Sequence, residues 1–196
     1  MIFVTSDLHF NHENILKYEP ISRPFKNVSD MNETLIANWN RVVATGDTVY
    51  VLGDLCMGQI AAAKPLIQRL NGTIILIRGN HDTPQRINLY ASLGIEVRDI
   101  AYLAYKGRYF IMCHFPIASQ EFINMVIRDN SEVVTLYGHI HSNAPTGYKD
   151  GTFHVGVDTN KLTPVSIQEV WDQCWPQEVL ANNPEVAAYR DQHAHD

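Results

Sequence analysis

Short apolar runs rich in β-branched and aromatic residues recur along the chain, and each gives way to a polar cluster. Residues 2–5 end in Ser6-Asp7-Leu8-His9, residues 48–52 in Gly53-Asp54, and residues 73–77 in Arg78-Gly79-Asn80-His81-Asp82. Residues 109–113 end in His114-Phe115-Pro116, and residues 133–137 in Gly138-His139-Ile140-His141. Runs of this length and composition predict buried strands. Helical patterns lie between them. Asp30 followed by Glu33 resembles a capping box, and Met31, Leu35, Trp39, Val42 and Val43 fall close to one stripe. Residues 60–70 predict a second helix, with Pro65 an awkward resident of its middle. Residues 84–93 predict a third, closed by Gly94, and residues 119–128 a fourth. Lys106-Gly107, between two apolar runs, reads as a hairpin turn. Beyond residue 141 the pattern turns to β, at 151–157 and 165–170. Apolar periodicity fades after residue 176. The expectation is one mixed α/β domain over residues 1–175, then a C-terminal helix or flexible tail over 176–196.

Composition narrows the class. The 196 residues are 45% hydrophobic and 18% charged, as in ordinary soluble domains. Fifteen Lys and Arg against 21 Asp and Glu give a net charge of −6, so no basic surplus is available to coat nucleic acid. Phosphate chemistry would need its positive charge from elsewhere, and metal ions are the obvious source. Nine histidines fit that idea. The three cysteines, Cys56, Cys113 and Cys174, are widely spaced and suggest no disulfide framework. The first residues lack the basic and apolar segments of a secretion signal, and no run reaches the ~18 apolar residues of a membrane span. The expected setting is cytoplasmic and soluble.

The strand ends carry the chemistry. Asp7-x-His9 and His139-x-His141 each place two ligands two positions apart, so an extended backbone would point both to one side. Asp54, Asn80, His81 and His114 also follow apolar runs. Together they exceed what one tetrahedral zinc requires and suit two metals sharing a carboxylate. Thiolates are absent from the set, which disfavours a structural zinc or iron–sulfur site. Two metals roughly 3.5–4 Å apart can clamp the attacking and leaving oxygens of a phosphoryl transfer. Asp47 rivals Asp54 for the shared position, but it precedes its strand and Asp54 follows it.

The blocks Asp7-Leu8-His9, Gly53-Asp54, Gly79-Asn80-His81-Asp82, His114 and Gly138-His139-Ile140-His141 resemble, in order, those of the calcineurin-like metallophosphoesterases. Ser22-Arg23-Pro24-Phe25 and Val155-Gly156-Val157-Asp158 are similar to a small single-domain branch found in bacteria and their phages. The resemblance implies a four-layer fold, a two-sheet β-sandwich flanked by helices, with metals at the strand ends. It implies that Asp7, His9, Asp54 and His141 hold one metal, that Asp54, Asn80, His114 and His139 hold the other, and that a metal-bridging hydroxide attacks. His81 would protonate the leaving oxygen and Asp82 would orient His81. Asn80, His81, His12 and Arg23 are the candidate substrate contacts, Arg23 because its planar fork matches phosphate.

Mixed N and O ligation suits Mn foremost, with Fe, Zn or Ni able to replace it. The expected activity is a phosphoesterase leaning to phosphodiesters of small or cyclic nucleotides. Alternatives are a phosphomonoesterase or pyrophosphatase on the same site, or a catalytically silent metal-binding interaction scaffold. The expected partner is a small phosphorylated substrate, with no membrane and no dedicated nucleic-acid surface; a homo-oligomer is compatible with the chain. Cys113 is expected to point into the core, His154 to be a strand residue without function, and Trp171 and Trp175 to seal a core edge.

Overall fold

Along the first strand Phe3 and Val4 face opposite ways, and that alternation organises the molecule. The computed structural model describes residues 1–117 and 133–175, and the predicted helix at 119–128 and the tail after 175 lie outside them. Ten strands form two five-stranded sheets among the described residues. The first contains β1 (Ile2–Thr5), β2 (Thr48–Val51), β3 (Thr73–Ile77) and β4 (Glu96–Arg98), all parallel, with β10 (Val165–Ser166) antiparallel to β1. The second runs in the order β5 (Ala101–Tyr105), β6 (Arg108–Met112), β7 (Val133–Tyr137), β9 (Thr152–His154) and β8 (Tyr148–Lys149).

One face of the first sheet, through Phe3, Val49, Val51, Ile74 and Leu76, packs on the helices α2 (Val28–Val42), α3 (Ile60–Ile67) and α4 (Pro84–Ser92). The other face, through Val4, Leu52 and Ile77, meets Phe110, Met112, Leu136 and Phe153 of the second sheet. The chain is thus a two-sheet sandwich flanked by helices, as expected. Parallel strands buried on both faces explain why the apolar runs are nearly continuous. A single helical turn, α1 (Ile15–Tyr18), follows β1, and α5 (Ile167–Cys174) inserts Ile167, Val170 and Trp171 into the inter-sheet core. Trp171 and Trp175 are buried there, in line with the core-sealing role. No described helix is long and apolar enough to cross a membrane.

Local chemistry explains where the pattern and the structure part. Lys106 and Gly107, at φ of 47° and 74°, form the two-residue turn between β5 and β6. Helix α2 is capped by Asn27, whose side chain accepts from the Asp30 N–H, so the Asp30–Glu33 box does not form. Glu33 instead meets Arg69 on the surface. The strand expected over 165–170 is only two residues long. Ser166 accepts from the Glu169 N–H while the Glu169 carboxylate accepts from the Ser166 N–H, and this capping box starts α5.

Candidate metal centre

The chain turns sharply at the carboxyl ends of the strands. Ten non-glycine residues among those described have positive φ, and five are Asp7 (58°), His9 (52°), Asp54 (56°), His139 (74°) and His141 (50°). Left-handed backbone at such residues costs about 1–3 kcal/mol each and concentrates at functional sites. The expected extended backbone at the two x-spaced pairs is therefore wrong. Asp7 and His9 converge because both are left-handed, and His141 opens a short 3₁₀ turn (His141–Asn143).

Backbone bonds zip these turns together. The Asp7 N–H donates to the Gly53 carbonyl, the His9 N–H to that of Asp54, and the Gly138 N–H to that of His114. Across the two sheets, the His139 N–H donates to Asp7 Oδ2 at 2.9 Å. The approach is so close that a side chain at Gly79 would strike the Asp54 carboxylate, and one at Gly138 would strike Ser6 and Asp7.

Two overlapping groups of donor atoms result, one of Asp7, His9 and His141, the other of Asp7, Asp54 and His114, each with its atoms within 4.8 Å of one another. Asp54 Oδ2 lies 3.6 Å from both His9 Nε2 and His114 Nε2, beyond hydrogen-bond range. Asn80 Oδ1 lies 2.8 Å from His114 Nε2 and 3.0 Å from His139 Nδ1. The seven expected ligands thus meet at one edge of the sandwich, with Asp54 between the two sets. Asp47 lies at the other end of β2, where it accepts from the N-terminal ammonium and from the Ala44 N–H.

The donor set fits cations. Asp7 Oδ1 and both ring nitrogens of His9 are buried without a hydrogen-bond partner. His114 Nδ1 lies 2.7 Å from the Leu52 carbonyl, an acceptor only, so Nδ1 carries the proton. That leaves the Nε2 lone pair facing the oxygens of Asn80 and Asp54, an arrangement a positive charge reconciles. Burial raises the pKa of Asp7 and of Asp54, and it lowers that of His9 well below the usual histidine value. A divalent ion would offset the penalty on the carboxylates and use the neutral imidazole.

His81 is half-buried, its N–H donating to Asp54 Oδ1 and its ring 5.5 Å from that of His9. His12 is half-buried too, its ring 5.1 Å from His9 and 6.5 Å from His81. Two expected roles need correction. Arg23 is fully buried and cannot clamp a phosphate: its nitrogens donate to the Asp158 carboxylate and to the Asp7 and Leu8 carbonyls. Asp82 does not hold the His81 ring. Its Oδ2 accepts from the Asp54 and Gly79 N–H groups, and its Oδ1 from the Tyr90 hydroxyl, so it ties two loops together. Cys113 is half-buried rather than in the core, while His114 takes the inward position. Sequence reasoning missed the duty of Asp158, which His141 Nδ1 meets at 2.8 Å. Its only signal was a place in the Val155–Asp158 block.

Residues 1–157 match the family profile described as Calcineurin-like phosphoesterase superfamily domain. An uncharacterized protein of Methanocaldococcus jannaschii is 39% identical over 173 residues, 85% of this chain and 86% of its own length. The gene 66 protein of Mycobacterium phage L5 is 28% identical over 195 residues, 86% of this chain and 91% of its own. Among solved structures, a protein of unknown function from Aquifex aeolicus shares the fold with a TM-score of 0.70 at 24% identity, over 88% of this chain and 98% of that one.

Proposed function

The chain belongs to the calcineurin-like phosphoesterase superfamily, and from that premise we propose a dinuclear metal-dependent phosphodiesterase acting on small or cyclic nucleotides. Asp7, His9 and His141 would hold one divalent cation, Asn80, His114 and His139 the other, and Asp54 would reach both. The cations, Mn foremost with Fe, Zn and Ni suited to the same donors, would supply positive charge for the phosphate and acidify the attacking water. That charge is needed in a chain of net −6. His81 would hand a proton to the leaving oxygen, a role supported by a backbone N–H pinned to Asp54 and a side chain left half-open to solvent. His12 would contact the substrate phosphate.

The observation that carries the reading is the convergence of seven N and O donors, five of them on residues of costly backbone, with buried donor atoms left unpaired. The lean toward diesters is supported by a cleft of about 400 Å³ beside His12, lined by Asn11, Glu13, Asn14, Gly58, Gln59 and Ala62. It offers room for the second arm of a diester.

The test is turnover of bis-p-nitrophenyl phosphate and p-nitrophenyl phosphate by chelator-stripped protein resupplied singly with Mn, Ni, Zn or Mg. Metal-dependent cleavage of the diester is expected, with kcat about 10²–10⁴-fold lower in His81→Ala at unchanged metal content. Preference for the monoester would overturn the substrate class. Two bound metals with no turnover of these esters or of a nucleotide panel would favour the silent scaffold.

A further inference from the structure

Arg23 is among the largest fully buried side chains of the molecule, and apart from a contact with Met31 Sδ its guanidinium bonds run to Asp158 and to the Asp7–His9 turn. Its Nε donates to Asp158 Oδ1 at 2.7 Å and its Nη2 to Asp158 Oδ2 at 2.9 Å, a two-pronged pairing. Nη2 also donates to the Asp7 carbonyl, and Nη1 to the Leu8 carbonyl at 2.9 Å. Asp158 Oδ2 in turn lies 2.8 Å from His141 Nδ1. One buried pair thus links the Asp7–His9 turn of the first sheet to the His141 turn beyond β7.

A buried ion pair is weak as a source of stability, because desolvation offsets most of its attraction. Geometry is the better account of its presence. The Asp158 carboxylate can only accept, so it holds the proton of His141 on Nδ1 and leaves Nε2 with its lone pair. The Arg23 fork holds the carbonyls of Asp7 and Leu8, which fixes the turn carrying Asp7 and His9. Among the described residues no equivalent buried pair reaches Asn80 or His139. His114 has its own orienting partner in the Leu52 carbonyl.

We propose that Arg23 and Asp158 are positioning residues that set the affinity of one cation subsite, Asp7–His9–His141, and leave the other, Asn80–His114–His139, largely alone. The proposal rests on the two-cation reading above and concerns metal binding, so its test needs no substrate. Asp158→Asn places an N–H either against His141 Nδ1, which removes the acceptor that holds the His141 tautomer, or against the guanidinium, which breaks the two-pronged pairing that aligns this side chain with His141. Arg23→Lys keeps the charge but gives up the fork and the paired carbonyl contacts.

Calorimetric titration of the stripped protein with Mn or Zn, together with metal counting after gel filtration, reads both sites. Circular dichroism of the stripped variants establishes that they fold. The parent is expected to take two cations. In Asp158→Asn one of the two should bind about 10–100-fold more weakly, the range typical when an outer partner of a ligand is removed. Arg23→Lys should weaken the same step by less. Asn80→Ala should weaken the other step, and Asp158→Asn/Asn80→Ala should lose both.

Parental affinity at both steps in folded Asp158→Asn and Arg23→Lys would overturn the positioning role and leave the proposed function standing. Equal weakening of both steps would overturn the selectivity. A parent that binds no cation would bring down the two-cation reading and the positioning role together. If Asp158→Asn does not fold, Arg23→Lys decides by the same criteria.

Discussion

Asp7 and His9 are buried behind Arg23 and Asp158, whereas Asn80 is exposed and His139 only half-buried on the far side of Asp54. The first group is braced by two charged, buried side chains, Arg23 and Asp158, drawn from separate loops. The second is braced mostly by backbone: the Leu52 carbonyl holds His114, and Asp82 gathers the N–H groups of Asp54 and Gly79. A closed, pre-oriented side beside an open one is a division of labour suited to a hydrolase. One side is buried and braced, the other half-open to solvent, and the His81 ring lies over the first, 5.5 Å from that of His9.

Asp54 stands between the two sides, and its removal gives the largest expected effect. Asp54→Asn should weaken both cations together by more than the roughly 10–100-fold typical of an outer partner, with hydrolysis falling below detection. Loss of a single cation in metal counting would show that the two sides do not share this carboxylate.

The closed side also carries an acid sensitivity. His154 packs behind Gly156, close to Asp7, and burial lowers its pKa to about 4. An unfolded histidine titrates near 6.5, so the unfolded chain takes up a proton that the folded one refuses. Stability on this account is complete above about pH 6.5 and drains away as pH falls toward 4, by on the order of 3 kcal/mol. His154→Gln should remove that part of the acid slope. Urea unfolding at pH 7 and at pH 4 checks it, and parallel profiles for parent and variant would contradict it.

The smallest effect falls on the open side. Tyr90→Phe deletes the hydroxyl donor to Asp82 Oδ1, a buried bond to a charged group. The cost should be about 1.5–3 kcal/mol in unfolding free energy. The Asn80–His114–His139 binding step should shift with it while the Asp7–His9–His141 step stays put; a shift of both would blur the distinction between the sides.

Much of the architecture was legible because burial on both faces writes near-continuous apolar runs. β1, β3 and β7 lie where those runs place them, and the polar residues after the runs meet at one edge. What misled was local. Residues 165–170 alternate like a strand, yet the Ser166–Glu169 box begins a helix there. Asp7-x-His9 looks like an extended pair, yet both residues are left-handed, because backbone bonds to Gly53 and Asp54 hold the turn against its intrinsic cost.

The sequence by itself determined the kind of donor, the order of the blocks and a mixed α/β domain, since these follow from side-chain chemistry and hydrophobic period. The two-sheet sandwich was legible through the resemblance those blocks carry. Only the tertiary structure decided what each supporting charge does. Arg23 and Asp158 are 135 positions apart, as are few other bonded pairs in the molecule, and nothing in spacing joins them. Asp82 is adjacent to His81 in the chain yet spends its carboxylate on Tyr90 and two backbone amides. A charged group inside a protein takes whichever partners satisfy it within hydrogen-bond reach, and those partners are set by packing between distant segments rather than by neighbourhood along the chain.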